Sequence, residues 1–437
     1  MFDLVIIGAG PGGYELALEA RKKNLTVLLI EEEKLGGTCL NWGCIPTKTY
    51  YKHAQLLREI KRASLFGIHL EGVQVDFARF HQRKEEVVKK LQDGIAFLLQ
   101  KEKVDWIKGH ATLIDSHTVE VNNETYQGKY IIIATGSKPI ELKGLEQAIT
   151  SQALLDLQEV PSKLAIIGAG VIGMELACIF QALGSQVQIV EYMDCILPSA
   201  DKELAKRMLS YLKSQNIQVH LKSKATAYQN NILQFEKNNQ IEEISCDVLL
   251  QAVGRKANFD EQACEKIGIA YTAKGITVNE HFQTSIPTVY AIGDCTGKLM
   301  LAHYATYSGY HVLHHILGEE SAIRFDLTPS CVFSFPEMAW VGKTEEECKD
   351  EPYQVVKSFY RSNGKAIASE EQEGFVKLIL KDNKIIGAHI IGYEASILIH
   401  ELAVLMHTDQ SIQAMQNIIH AHPTLSEIIG NCLKIAE

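Results

Sequence analysis

Residues 5–32, VIIGAGPGGYELALEARKKNLTVLLIEE, lie on residues 165–192, AIIGAGVIGMELACIFQALGSQVQIVEY, at a constant offset of 160. In each copy an apolar run meets a GxGxxG turn, a segment of helical period follows, and a second apolar run reaches an acid, Glu31 or Glu191. That is the pattern of a βαβ unit built around a dinucleotide-binding turn. Gly8 and Gly168 make the tight turn, and Gly10 and Gly170 let a pyrophosphate approach the backbone. Gly13 and Gly173 let the helix pack closely, and the helix N-terminus attracts phosphate charge. One such turn alone is weak evidence. Two in register, each with strand, helix and terminal acid, predict two bound dinucleotides in an α/β chain with two Rossmann-like domains.

The terminal acids speak to cofactor choice, because a carboxylate accepts bonds from both ribose hydroxyls and repels a 2′-phosphate. After Glu191 the run YMDCILPSAD holds no arginine or lysine before Lys202, so NAD is expected there rather than NADP. Two shorter segments, YIIIATG at 130–136 and TVYAIGD at 288–294, read as buried strands running into glycine. Asp294 is placed to bind a ribityl or ribose hydroxyl, with a plain turn as the other reading.

Shortly after the first copy comes GGTCLNWGCIPTK at 36–48. On an ideal helix five residues climb roughly 7.5 Å and turn about 140° past a full circle, which keeps Cys39 and Cys44 out of disulfide range. An irregular backbone is therefore expected, and Gly43 and Pro46 permit one. A working redox dithiol is the natural reading; a stabilising bridge or two free core thiols are the others. The remaining cysteines, at 178, 195, 246, 264, 295, 331, 348 and 432, form no CxxC or zinc-spaced cluster and read as inert thiols. No metal site is expected.

With 437 residues, 46% of them hydrophobic, the chain has core for two to four domains. Forty-three basic against fifty-three acidic side chains give a charge of −10 without a long basic run, which argues against a nucleic-acid partner. The chain opens on the strand-like FDLVIIGAG, with no leader-like segment before it, so a cytoplasmic location is expected. The most apolar window, 164–183, contains Glu175 and Gln181 and reads as buried strand and helix rather than a membrane span.

Taken together these motifs resemble the flavin disulfide reductases, whose pattern joins a flavin fingerprint, CxxxxC, ATG, a second fingerprint, a GD strand and a C-terminal HPTxSE. All are present in order, and the likeness runs from Met1 to about Cys432. Within that family, IVEYMDCILPSAD, AVGRKAN, LMLAHYA and HAHPTLSE look like the members that oxidise dihydrolipoamide. The resemblance implies FAD in the first repeat, held by Gly8, Gly10, Gly13 and Glu31, with Gly37, Thr38 and Lys48 nearer the flavin. Ala111, Gly136, Asp294 and Ala302 match further FAD contacts. NAD would use Gly168, Gly170, Gly173, Glu191, Ala225 and Gly254, and Lys48 and Glu175 would form an ion pair beside the flavin.

The resemblance also implies a mechanism. Dihydrolipoamide attacks Cys39, Cys44 is left as a thiolate against the flavin, and electrons pass to NAD⁺. His422 would be the base, oriented by Glu427, and would come from the other subunit of a homodimer. His420, two residues earlier, lacks the spacing to Glu427 and is the decoy. The implied partner is a lipoylated acyltransferase or lipoyl carrier protein. The alternatives are an NAD(P)H-dependent reductase of another disulfide or of a metal ion, or a chiefly structural subunit of an acyl-transfer complex. The expected division is an FAD domain at 1–149 and 264–326, an NAD domain at 150–263, and an α+β dimerisation domain at 327–437. Two departures from relatives stand out: Phe335 before Pro336, and Tyr393–Ser396 in place of a glycine-richer loop.

Overall fold

The computed structural model describes residues 1–436. The first repeat forms β1 (Phe2–Ile7), α1 (Pro11–Lys22) and β2 (Val27–Glu31). The strands run parallel, with Leu4 opposite Val27 and Ile7 opposite Ile30. Next to β1 lies the strand Glu124–Ile133, next to β2 the strand Asp105–Lys108, and Val289–Ala291 pairs with the strand Glu124–Ile133. Leu4 to Ile7 and Val27 to Ile30 are all buried. Apolar runs without alternation are what a parallel sheet covered on both faces requires.

The second repeat forms the strand Lys163–Ile167, the helix Val171–Leu183 and the strand Gln186–Val190. These strands sit in a four-stranded parallel sheet flanked by Gln218–His220 and Val248–Gln251. The apolar window at 164–183 is thus a buried strand and helix, and among the described residues no helix is long and apolar enough to cross a membrane.

The C-terminal part is α+β, as its pattern suggests. Five antiparallel strands run in the order Ser330–Val332, Glu337–Gly342, Lys384–Gly392, Phe375–Lys381, Gln354–Phe359. Asp382 and Asn383 turn the central hairpin with φ of 48° and 62°, a conformation that Asp and Asn tolerate better than most residues. Helices Ala395–His407 and Glu427–Lys434 pack on this sheet through Leu398, Leu402, Ile428 and Ile429. Phe335 is buried, stacks on Tyr51 with ring centroids 4.7 Å apart, and has the Arg58 guanidinium 4.6 Å from its centroid. Ser396 N–H donates to Glu337 at 2.9 Å.

A buried ion pair ties the second repeat's unit to this sheet. Lys377 Nζ, on a fully buried side chain, donates to both Asp201 carboxylate oxygens at 2.9 Å and also to Glu345. Asp201 caps the helix Lys202–Ser214 and is itself 1% exposed. Removing one partner of such a pair leaves an uncompensated buried charge. Lys377→Ala is expected to lower the unfolding free energy by about 3–5 kcal/mol in urea titrations, and a loss below about 1 kcal/mol would show that the pair carries no such weight.

Candidate active site

Both GxGxxG turns fold the same way. Gly8 and Gly168 have φ of +106° and +101°, and a Cβ on either would strike a backbone carbonyl, that of Ala134 at 2.3 Å or of Ala252 at 2.5 Å. A Cβ on Gly13 or Gly173 would lie 1.9 or 2.1 Å from the carbonyl oxygen of Gly8 or Gly168. Gly10 and Gly170 have nothing within 4 Å of an added Cβ. Open space at the middle glycine, at the head of a helix of 12 or 13 residues, is what a pyrophosphate needs, so both cradles fit a dinucleotide.

The acids that close each repeat hold the turns that begin it. Glu31 accepts a bond from Ala9 N–H at 2.7 Å, and Glu191 accepts one from Ala169 N–H at 2.6 Å. Each carboxylate therefore also braces the turn of its own repeat. Burial raises the Glu31 pKa.

One cavity of about 1670 Å³ runs from the first turn to the second. A single small-molecule pocket measures roughly 300–1,000 Å³, so this space suits two ligands end to end. It is lined by Gly8, Gly10, Glu31, Gly37, Thr38, Ala111, Gly136, Asp294 and Ala302 from the first half, and by Gly168, Gly170, Glu191, Ala225 and Gly254 from the second. Gly13 and Gly173 sit behind the turns, packed on Gly8 and Gly168 as the motif expects, and do not line the cavity. Their effect on a ligand runs through the shape of the turn.

Cys39, Cys44, Lys48 and Glu175 line the middle of this space. Gly37, with φ +56° and its Cα side against Gly10, brings the chain back onto the first turn. Cys39 lies in α2 (Gly37–Trp42) and Cys44 begins α3 (Cys44–Arg62), with Gly43 between them at φ −127°, ψ −108°. The helix breaks there, and the break lets the two side chains meet. Both are free thiols in this structure. The Cys39 thiol donates to Cys44 and, with help from the Lys48 charge, lowers the Cys44 pKa to about 7 against the opposing effect of burial. Sharing its proton with Cys44 and being buried push Cys39 up. The N-terminus of α3 adds a partial positive charge at Cys44. Of the two sulfurs, Cys44 is the one that ionises.

Lys48 Nζ donates to Glu175 at 2.8 and 3.0 Å, and Glu175 also accepts Phe333 N–H at 3.0 Å. Phe333 offers its ring face 4.4 Å from Lys48 Nζ. Arg255 and Ser137 were not singled out by sequence. Arg255 donates to Ser137 Oγ at 2.8 Å and to the Ser137 carbonyl at 2.6 Å, while Ser137 Oγ donates to Asp294 at 2.6 Å. Burial raises the Asp294 pKa and lowers that of Arg255. The one signal in the sequence was a basic residue directly after Gly254. Lys224, also unforeseen, lines the second half of the cavity.

His422 lies elsewhere. Its side chain is 79% exposed, Nδ1 is 3.0 Å from Glu427 Oε1, and it does not line the cavity. Glu427 opens the last helix, and the Thr424 N–H and His422 hold its carboxyl below the usual range. His420 is spent on Glu401 at 2.7 Å and packs on Gly430. Two further groups of ligand-type side chains each already enclose an ammonium: Lys84 among His81, Glu85 and Asp156, and Lys377 among Asp201, Glu203 and Glu345.

Residues 2–309 match the model of the pyridine nucleotide-disulphide oxidoreductases, and residues 328–432 match the dimerisation domain of that family. The dihydrolipoyl dehydrogenase of Geobacillus stearothermophilus is 38% identical over 99% of this chain and 96% of its own length. The dihydrolipoyl dehydrogenase of Chlamydia muridarum is 36% identical over 98% and 95%. Among solved structures, LpdA of Mycobacterium tuberculosis superposes with a TM-score of 0.92 at 26% identity, covering 99% of both chains. The HOCl-induced flavoprotein disulfide reductase RclA of Escherichia coli does so at 0.89 and 28%, covering 100% of both.

Proposed function

The chain belongs to the pyridine nucleotide-disulphide oxidoreductases, and from that membership we propose that it oxidises protein-bound dihydrolipoamide to lipoamide with NAD⁺. The observation that carries this reading is the thiol pair at the junction of two dinucleotide cradles, with the ionising member, Cys44, beside the Lys48–Glu175 pair. On this reading residues 1–149 and 264–326 hold FAD, 150–263 hold NAD, and 327–437 form the homodimer interface. The lipoyl group arrives on an acyltransferase or lipoyl carrier protein, in the cytoplasm, where thiols otherwise stay reduced.

The chemistry that a flavin supplies when bound is two-electron transfer between a dithiol and a nicotinamide. The chain's own residues do the rest. A substrate thiolate attacks Cys39 Sγ of the Cys39–Cys44 disulfide, forming a mixed disulfide and expelling Cys44 as its thiolate. His422 of the partner subunit takes the proton of the second substrate thiol, which then attacks the substrate sulfur of the mixed disulfide, releases cyclic lipoamide and frees Cys39. Lys48 sits within reach of the Cys44 charge and steadies it, while Glu175 keeps the Lys48 ammonium from being buried alone. Glu31 and Glu191 shape the turns that receive the two adenosine ends.

The test is turnover with dihydrolipoamide, glutathione disulfide and metal ions, each paired with the appropriate form of NAD or NADP. Dihydrolipoamide with NAD⁺ is expected to be fastest by at least about tenfold in kcat/KM, since Glu191 repels a 2′-phosphate. Faster reduction of glutathione disulfide, or a clear preference for NADPH, would sink the reading.

A further inference from the structure

Helix Ala302–Leu317 starts at the cavity with Ala302 and carries His311, His314 and His315 in its last two turns. His311 and His315 are four residues apart and share a face. His281, from the loop ahead of the strand Val289–Ala291, lays its ring along both. Its centroid is 4.3 Å from that of His315 and 5.7 Å from that of His311, with planes tilted by 12° and 11°. With Glu319, Glu320 and Ser321 these three imidazoles line a second pocket of about 320 Å³.

The polar atoms of this pocket are incompletely used. Among the described residues, both ring nitrogens of His311 and the Ser321 hydroxyl are shielded from solvent and lack a hydrogen-bond partner. Native proteins seldom leave such groups unpaired, and an ion or water in the space is a common reason. His315 keeps Nε2 free, because Tyr290 Oη takes Nδ1 at 2.9 Å. Glu319 is held at the rim by Lys23 and His314, both at 3.0 Å. The carbonyl end of the helix adds a partial negative charge at the same place.

We propose that His281, His311 and His315 form a site for a divalent transition metal of the imidazole-preferring kind, such as Zn²⁺, with Glu319 and Glu320 at its mouth. The rings now lie parallel, so ligation turns them about their broad ring torsions and breaks the stack. A bound ion would pin the far end of the helix whose first residue lines the cofactor cavity. That role is structural and separate from the redox relay.

The test uses the flavin-loaded protein with Cys39 and Cys44 held as the disulfide, so that thiols do not compete, dialysed against Zn²⁺. One Zn²⁺ per protomer is expected, with affinity falling at least about tenfold in His311→Gln and in His315→Gln while flavin content and turnover stay unchanged. Zn²⁺ should raise the thermal midpoint of the parent protein and not that of the double variant. His281→Gln, changed on a loop rather than in the helix, gives the same loss without touching helix packing. Equal zinc binding by the parent and the double variant, or no zinc bound by the parent, overturns the site and leaves water as the occupant.

Discussion

Replacing His422 with Gln lowers dihydrolipoamide turnover by about 100- to 10,000-fold while the flavin stays bound, the range expected when a positioned general base is lost. His422 is exposed, sits outside the cavity and among the described residues pairs only with Glu427, so its loss leaves the cradles for both dinucleotides intact. Its imidazole is oriented by a carboxylate that is itself fixed by the Thr424 N–H. Glutamine keeps the size and a hydrogen bond to Glu427 but takes no proton. The same substitution at His420 should leave chemistry alone and act on stability, because that ring is packed between Glu401 and Gly430. Steady-state rates and the flavin absorbance of the purified variants check both outcomes. Full activity in His422→Gln would refute the assignment of the base.

Cys39→Ser reduces dithiol oxidation to background, at least about 1,000-fold, since a hydroxyl cannot form the mixed disulfide. The pH dependence of the reduced protein separates the two sulfurs. Cys44 titrates near pH 7, lowered from its ordinary range by the Cys39 thiol and Lys48. A lowered pKa means that the thiolate is dominant above pH 7 and is lost as pH falls through that value. Alkylation of the reduced protein by iodoacetamide should therefore rise in one step centred near pH 7. The step should vanish in Cys44→Ser, persist in Cys39→Ser with a shifted midpoint, and move to higher pH in Lys48→Met. A single step near pH 9 in the parent protein would contradict the ion-pair account.

The repeat at an offset of 160 was legible because each turn is local: glycines, strand, helix and acid all fall within 28 residues of sequence. The same holds for the broken helix at Gly43, forced by two cysteines that no regular helix could bring together. What stayed hidden depends on distant pairs. Arg255 reaches Ser137 across 118 residues, and Lys377 reaches Asp201 across 176. His311 and His315 are four residues apart in the sequence, but His281 meets them only once the loop folds over the helix, so the cluster of three was not announced. Glu31 and Glu191 were expected to bind ribose hydroxyls; their bonds to Ala9 and Ala169 become visible only in the closed turn. The packing of Gly13 and Gly173 against Gly8 and Gly168 was legible for the same reason as the turns themselves, since the motif sets the third glycine five residues after the first.

The proposed mechanism needs a working site shared by two protomers, Cys39 and Cys44 from one and His422 of the partner subunit. Dimers mixed from Cys39→Ser protomers and His422→Gln protomers put this to the test. Each variant alone is inactive, but a mixed dimer holds one site with both cysteines and an intact histidine. By twofold symmetry such a dimer should recover about half the parent turnover. No recovery above the two separate variants would contradict a site built across the interface.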